Sequence, residues 1–556
     1  MTNNTVAQTP LDCFYYWEST KPDAVYLSQP TAGQWCDYSW GEVGQQARKA
    51  AACLQAMGIK QGERVCILSK NCAHWMIADL AIMMSGGASA PAFTSMSADD
   101  VLYILEHSGS KVLIVGETDN WDQIKDCLPE GLAVISLPGM DIPQADIGWA
   151  QLLENFEPVS GNPARALDDE LTTIYTSGST GKPKGVMYDF EGAYHVALNL
   201  GDTYRMTEDD IMISYLPMAH GFERAVVDWM SLLAGYRVGF NESLTTFAED
   251  MKQVRPTVFQ CVPRLWTKFQ EGVVAKFGGQ DILSGKLADS EQSDAIKLAI
   301  KQGLGLDRAR LCLTGSAPTP MPLHQWYEAL DMPQCEIYGQ SEVLSGTSNL
   351  PWDRKAGTLG KPTCHTDIKI SDIGEILIRA RAMMTGYLNE PEKTAETLID
   401  GWIHTGDKGE IDADGFLRIT GRIKEIFKTA KGKYVAPVPI EGHFVSNPYI
   451  EQVCLIGNGL PQTVLTLQLS EIGKNAAREV VAAEIGKQVV AVNESLGAHE
   501  KMAGIVISAQ DWSSANGRVT HTMKIKRQPI EQYFQPLAEG VFAESSTAAH
   551  PAVIWE

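Results

Sequence analysis

Apolar residues recur along this chain in two alternating rhythms, one returning every third or fourth position and one in short unbroken runs, a pattern that predicts helix after strand. The stretch 40–57 keeps its apolar residues on one side and closes at Gly58, as an amphipathic helix does. A strand then follows at 64–68, a helix at 78–84, and a second helix at 98–107 that Ser97 caps. The run 111–115 has the composition of a parallel strand buried on both faces. The rhythm continues through a strand at 258–262, a helix from Pro263, a strand at 309–314 and a helix after Pro320. The most apolar long segment, 75–93, contains Asp79, Gly86, Gly87 and Pro91, which suits a buried helix running into a strand better than a bilayer span. The fold class expected is α/β.

Near residue 400 the pattern changes to short strands and tight turns. Strands are expected at 374–379 and across 409–421, where Asp414 and Gly415 make a hairpin turn. Beyond them lie strand-like runs at 451–456 and 463–469 and helices around 476–496, a smaller α+β unit. A boundary at Lys424 divides the chain into a large N-terminal domain, 1–423, and a small C-terminal one, 424–556. The final stretch, 543–556, is rich in small residues and is expected to be loosely ordered.

Composition narrows the class of partner. Lys and Arg total 46 against 68 Asp and Glu, a net charge of −22, so the long-range field repels nucleic acid and anionic membrane surfaces. The 11 cysteines include no C-x-x-C pair and no zinc-like cluster, and reduced, mostly buried thiols are expected. No basic-then-apolar leader opens the sequence, so the cytoplasm is the expected compartment, with peripheral membrane contact left open and no transmembrane helix.

Against this acidic background, residues 175–186 stand out. Gly178, Gly181 and Gly185 let the backbone approach an anion, Thr176, Ser177, Ser179 and Thr180 add hydroxyl donors, and Lys182 and Lys184 add charge. The combination suits a polyphosphate. Its spacing fails the Walker template, because Pro183 follows Gly181-Lys182 and no glycine stands five places upstream. A solvated Gly/Ser turn is the plain alternative, but the β-branched run 171–176 before it reads as a strand delivering the loop at a sheet edge.

The whole string resembles the phosphate loop of the adenylate-forming superfamily, which includes acyl-CoA synthetases, luciferases and peptide-synthetase adenylation domains. Further motifs carry the resemblance in family order across roughly residues 35 to 535: the segment 214–224 around His220, the strand end Gly315-Ser316-Ala317, the run 335–342, the segment 401–407 ending at Asp407, and Arg422. The segments 214–224, 255–266 and 305–311 are most similar to long-chain fatty acyl-CoA synthetases.

The resemblance implies ATP, Mg²⁺ and coenzyme A as co-substrates and a carboxylic acid, by preference a fatty acid, as the group activated. The acceptor thiol is coenzyme A or the pantetheine of a carrier protein. Thr176, Ser177, Gly178, Ser179, Thr180, Gly181 and Lys184 would hold the phosphates, while Gly315, Ser316 and Ala317 line the adenine and acyl pocket. Glu336, Ile337, Tyr338, Gly339 and Ser341 run along the nucleotide, Tyr338 stacking on adenine. Glu342 and Thr176 would serve the Mg²⁺. Asp407 takes the ribose hydroxyls and Arg422 joins it at ribose and phosphate.

By the same resemblance, His220 sits beside the reacting carboxylate, and Lys424 marks a hinge about which the small domain rotates. Gly432 lies by the pantetheine channel, and a mobile lysine supplies catalytic charge. Between Lys524 and Lys526, the spacing from Thr522 and the later Ile530 favour Lys524, although the Pro-x-x-Gly-Lys form seen in many relatives is absent. Val226, Val227, Trp229 and Met230 are placed either to line an acyl tunnel or to form one helix's core face. Rival functions are another acid or carrier-protein ligase of the superfamily, an amino-acid activator, and a catalytically silent nucleotide-binding switch.

Overall fold

Among the described residues, four sheets and their covering helices build the large part of the protein, and a four-stranded sheet organises the C-terminal unit beside a two-stranded one. The structure is a computed structural model that describes residues 8–140, 142–176, 182–445, 447–520, 523–543 and 551–556.

The largest sheet has eight strands, and its centre is the run Arg64–Leu68, Ala88–Ala92 and Val112–Val115, paired in parallel. Helix Ala73–Ser85 connects the first two of these strands, and all but one of its residues are buried. That burial explains its near-continuous apolar sequence. The one acid within it, Asp79, pairs with the fully buried Arg224 at 3.0 Å, so the charge is not left alone in the core. Helix Trp40–Ala56 begins with Ser39, whose hydroxyl accepts from the Glu42 N–H while Glu42 reaches back to the Ser39 N–H.

Glu170–Thr176 and Lys184–Asp189 form a hairpin inside this sheet, Thr176 facing Lys184. The sequence placed the phosphate-type loop at a sheet edge. Glu170–Thr176 instead lies between Ala88–Ala92 and Lys184–Asp189, so both strands of the hairpin are interior, and Gly386–Tyr387 is the strand at that edge. Ser177, Gly178, Ser179, Thr180 and Gly181 lie outside the described residues.

A second sheet runs Val258–Cys261, Leu311–Thr314 and Gln334–Gln340 in parallel, then Val343–Ser348 antiparallel. The strand expected from 309 starts two residues later, because Arg310 turns aside to pair with Asp210 at 2.7 Å. The carboxyl ends of the parallel strands Leu311–Thr314 and Gln334–Gln340 lead into residues 315–317 and 341–342, the side on which open α/β sheets bind ligands. A third sheet contains Glu375–Ala380, Trp402–Ile411 and Leu417–Arg422, and brings Asp407 opposite Arg422. Asp414 and Gly415 lie in its hairpin turn as expected: the Gly415 N–H donates to the Asp412 carbonyl and the Asp412 N–H to the Phe416 carbonyl, each at 3.0 Å, with Gly415 at φ +87°, and the Asp412 carboxylate accepts from the Asp414 and Phe416 N–H groups.

In the C-terminal unit, Val453 and Leu455 face helix Arg478–Ser495, while Cys454 and Ile456 face helix Arg527–Ala543. Alternation along one strand therefore feeds two cores, as a sheet covered on both faces requires. The chain's last segment differs from expectation. Ala552–Trp555 is a strand, paired in parallel with Met502–Ile507, and Glu556 accepts from the Tyr533 hydroxyl at 2.5 Å and the Ala509 N–H at 3.0 Å. Four strand-forming residues after a run of small ones hold an edge despite the composition around them.

All 11 cysteines are free thiols, with Cys36, Cys127 and Cys364 exposed. Val226, Val227, Trp229 and Met230 are fully buried within the main hydrophobic cluster, as the core-face alternative has it. Among the described residues no helix is long and apolar enough to cross a membrane.

Candidate active site

Asp407 is the hub of the cleft. It is 3% exposed, and its two oxygens are shared out among three neighbours. Oδ1 accepts from Arg422 Nε at 2.7 Å, and Oδ2 accepts from the Tyr338 hydroxyl at 2.7 Å and from Gln340 Nε2 at 2.8 Å. Gln340 also donates to the Thr405 carbonyl at 2.9 Å, which fixes its amide orientation. Partial burial lowers the Arg422 pKa, but Asp407 and Glu425 outweigh it and the net shift is upward. The Tyr338 hydroxyl is driven well above its ordinary pKa by burial and then by the Asp407 charge, so it remains a donor.

Glu342 follows in the turn between Gln334–Gln340 and Val343–Ser348. Its Oε1 accepts from the Tyr387 hydroxyl at 2.5 Å, leaving Oε2 for another partner. The Lys184 ammonium lies 4.9 Å from the Tyr387 ring centroid, so a cation from the phosphate-type hairpin sits on the tyrosine that holds Glu342.

Lys524 belongs to the small domain. A turn presents it: the Thr520 N–H donates to the Lys524 carbonyl at 2.7 Å, the Lys524 N–H donates to Thr520 Oγ1 at 3.0 Å, and Met523 holds φ at +60°. Loss of hydration around the ammonium lowers the Lys524 pKa, Arg422 lowers it further, and Glu342 and Asp407 act in the opposite direction. The residue as a whole is exposed.

His220 stands where helix Gly221–Glu223 begins. Its Nδ1 accepts from the Phe222 N–H at 3.1 Å, which assigns the ring proton to Nε2. Burial, reinforced by the charge of Lys524, lowers its pKa to about 4. The imidazole is therefore neutral at pH 7, a donor at Nε2 with Nδ1 already engaged.

Gly315, Ser316 and Ala317 form the loop after Leu311–Thr314, Ser316 in the left-handed region at φ +68°. A Cβ on Gly315 would lie 2.7 Å from Ile337 Cγ2, and one on Gly339 would lie 2.9 Å from the Val343 carbonyl oxygen, so both glycines permit close backbone approach. The Glu336 carboxylate is engaged within the fold, accepting from the Thr319 N–H at 3.0 Å and facing His324 Nε2 at 3.4 Å. Ile337 is buried beneath Gly315, and the Ser341 carbonyl accepts from the Tyr188 hydroxyl. Lys424 is exposed in the turn after Arg422, and Gly432 in the loop joining Phe427–Lys428 to Tyr434–Val435. The two parts of the protein also meet through an ion pair between Arg264 and Glu451.

Two residues of the cleft escaped the sequence analysis. Gln340 occupies the variable place of the run 338–342, and its polarity was the available signal. Tyr387 stands 45 residues from its partner Glu342, and nothing local connects them.

Comparison with known proteins accords with this geometry. A family model described as AMP-binding enzyme matches residues 14–388, and a second, described as AMP-binding enzyme C-terminal domain, matches 424–546. The chain is similar to the long-chain-fatty-acid–CoA ligase ACSBG2 of Gallus gallus, 28% identical over 94% of this chain and 80% of that one. It is likewise similar to the long-chain-fatty-acid–CoA ligase FadD15 of Mycobacterium tuberculosis, 28% identical over 94% and 95%. Among solved structures, the anthranilate CoA ligase AuaEII in complex with anthranoyl-AMP superposes with a TM-score of 0.78 at 20% identity, covering 97% of this chain and 100% of the other. A fatty acyl CoA synthetase of Mycobacterium tuberculosis gives 0.67 at 21% identity, covering 95% and 99%.

Proposed function

This chain belongs to the AMP-binding enzyme family, and from that premise we propose that it joins a medium- or long-chain fatty acid to coenzyme A through an acyl-adenylate. The observation that carries the proposal is the Asp407 carboxylate gathering Arg422, Tyr338 and Gln340, with the charges of Arg422, Glu342 and Asp407 acting on Lys524. Relatives named long-chain-fatty-acid–CoA ligases, aligned over nearly the whole chain, support the choice of acid.

In the first half-reaction a carboxylate oxygen attacks the α-phosphorus of ATP, the bond to the β-phosphate oxygen breaks, and pyrophosphate leaves. Two anions must approach, and the Lys524 ammonium offsets both charges while orienting them. His220 donates from Nε2 to a carboxylate oxygen; being neutral, it adds a dipole without competing for the charge of Lys524. Asp407 receives the ribose, Arg422 bridges ribose and phosphate, and the Gly315–Ala317 loop leaves room for adenine. Glu342 through Oε2 and the Thr176 hydroxyl would hold Mg²⁺, hard oxygen donors that fit this ion, which when bound neutralises phosphate charge.

In the second half-reaction the small domain, 424–556, rotates about Lys424, withdrawing Lys524 and bringing Gly432 to the thiol channel. The thiol sulfur attacks the acyl carbon, the C–O bond to AMP breaks, and the thiol proton passes to solvent. Coenzyme A is the acceptor proposed; carrier-protein pantetheine has the same thiol chemistry.

Pyrophosphate exchange with a panel of acids tests the reading. Fatty acids of eight to sixteen carbons are expected to drive exchange on the order of tenfold or more above benzoate and amino acids, since each buried methylene adds about 0.8 kcal/mol, and coenzyme A should then yield the thioester. Exchange with amino acids alone would make the chain an amino-acid activator, and none with any acid would leave the silent switch. Glu342→Gln should raise the Mg²⁺ concentration for half-maximal exchange about tenfold or more. An unchanged Mg²⁺ titration would remove Glu342 from the metal.

A further inference from the structure

Behind His220, on the same turn, lies a carboxyl group that the reaction as described does not use. Glu223 is completely buried, and four donors converge on it. Oε1 accepts from the Ser214 hydroxyl at 2.9 Å, the Tyr215 N–H at 3.0 Å and Asn71 Nδ2 at 3.4 Å, and Oε2 accepts from Gln260 Nε2 at 3.1 Å. These partners come from three places: the start of the 214–220 segment, the turn before helix Ala73–Ser85, and strand Val258–Cys261.

Asn71 clamps the same segment further along. Its Nδ2 donates to the Leu216 carbonyl at 2.6 Å and to Ser214 Oγ at 2.8 Å, and its Oδ1 accepts from the Met218 N–H at 3.2 Å. The His220 N–H then closes on the Pro217 carbonyl at 2.8 Å. Ser214, Tyr215, Leu216, Pro217, Met218 and His220 are thereby tied, and the imidazole orientation is fixed by its own bond to Phe222. Burying a carboxyl group this fully is costly unless its donors are aligned; burial raises its pKa to about 8, against the lowering effect of Gln260 and Ser214. A plain core position would be filled more cheaply by a leucine.

We propose that Glu223 is a positioning residue: with Asn71 it locks the 214–220 segment so that His220 keeps its Nε2 directed at the reacting carboxylate. Glu223 itself touches no reactant. The inference rests on the fatty-acid ligase reading for its kinetic consequence, but its structural consequence can be measured separately.

The test compares Glu223→Ala, Glu223→Gln and Asn71→Ala with the parent full-length chain. Glu223→Ala should lower kcat for acid-dependent exchange about thirtyfold while KM for ATP stays within about twofold, the pattern of a displaced group as opposed to a lost binding contact. Glu223→Gln, which keeps the volume and one acceptor oxygen, should recover most of that loss, and Asn71→Ala should fall the same way as Glu223→Ala. Imidazole ¹⁵N spectra, with His220 identified by the signal missing from His220→Gln, should show the Nε2–H form in the parent and tautomer averaging in Glu223→Ala. A Glu223→Ala enzyme with parental kcat overturns the proposal. So does loss of kcat with an unaltered His220 spectrum, whichever variant folds well enough to measure. A parent that exchanges with no acid refutes the functional reading instead, while the spectra still decide whether Glu223 holds His220.

Discussion

Replacing Lys524 with alanine is expected to slow adenylate formation on the order of a thousandfold, while thioester formation from supplied acyl-adenylate stays within about threefold of the parent. The asymmetry follows from where the charge is needed. Carboxylate and triphosphate repel each other only before the P–O bond forms, and Lys524 is the group proposed to offset both charges. After adenylation the nucleophile is a thiol and the electrophile a neutral carbonyl, so an ammonium there has little left to offset. The factor of a thousand corresponds to about 4 kcal/mol, within reach of one cation set between two anions. Pyrophosphate exchange and thioester formation, measured separately, decide the matter; equal losses in both would end the division of labour assigned to Lys524.

Asp407→Ala should be nearly as damaging, for a different reason. The carboxylate holds Tyr338, Gln340 and Arg422 at once, so its removal should lose the proposed ribose contact and release three groups gathered around it. The specificity constant kcat/KM for ATP is expected to fall about a hundredfold or more. Stability should drop by about 1–3 kcal/mol, chiefly from the buried Tyr338 hydroxyl left without its acceptor. Arg422 contributes less, because its side chain is 49% exposed and water can replace its partner. Asp407→Asn, which keeps an acceptor for Tyr338, should recover the stability more than the activity. Urea unfolding alongside ATP kinetics separates the two. Lost stability with parental ATP use would make Asp407 a strut and nothing more.

The α/β core was legible because its helices and strands carry strong local patterns: Ser97 caps its helix through a hydroxyl bond to the Asp100 N–H, and the run ending at Val115 is wholly apolar. Asp407, Arg422 and Glu342 stood out because each lies within a recognisable string. What stayed hidden depends on contacts between distant segments. Gln340 finds Asp407 across 67 residues, Tyr387 finds Glu342 across 45, and Glu223 gathers donors from Asn71 to Gln260. The strand Ala552–Trp555 was hidden otherwise: a run of small residues masked four positions whose pairing partner lies far upstream. Local sequence reports propensity, whereas which interior strand awaits a partner is a property of the finished sheet.

The distribution of thiols has a practical bearing on watching the enzyme turn over. Maleimide dyes will attach to Cys36, Cys127 and Cys364, all before residue 424, whereas Cys454, the only cysteine beyond it, is buried and its thiol pKa is raised by that burial. With two of the three replaced by serine, one fluorophore can therefore be fixed to the N-terminal domain without touching the C-terminal one. A single engineered thiol on the exposed face of helix Arg478–Ser495 would complete a distance ruler, and the rotation proposed between half-reactions could be looked for one molecule at a time.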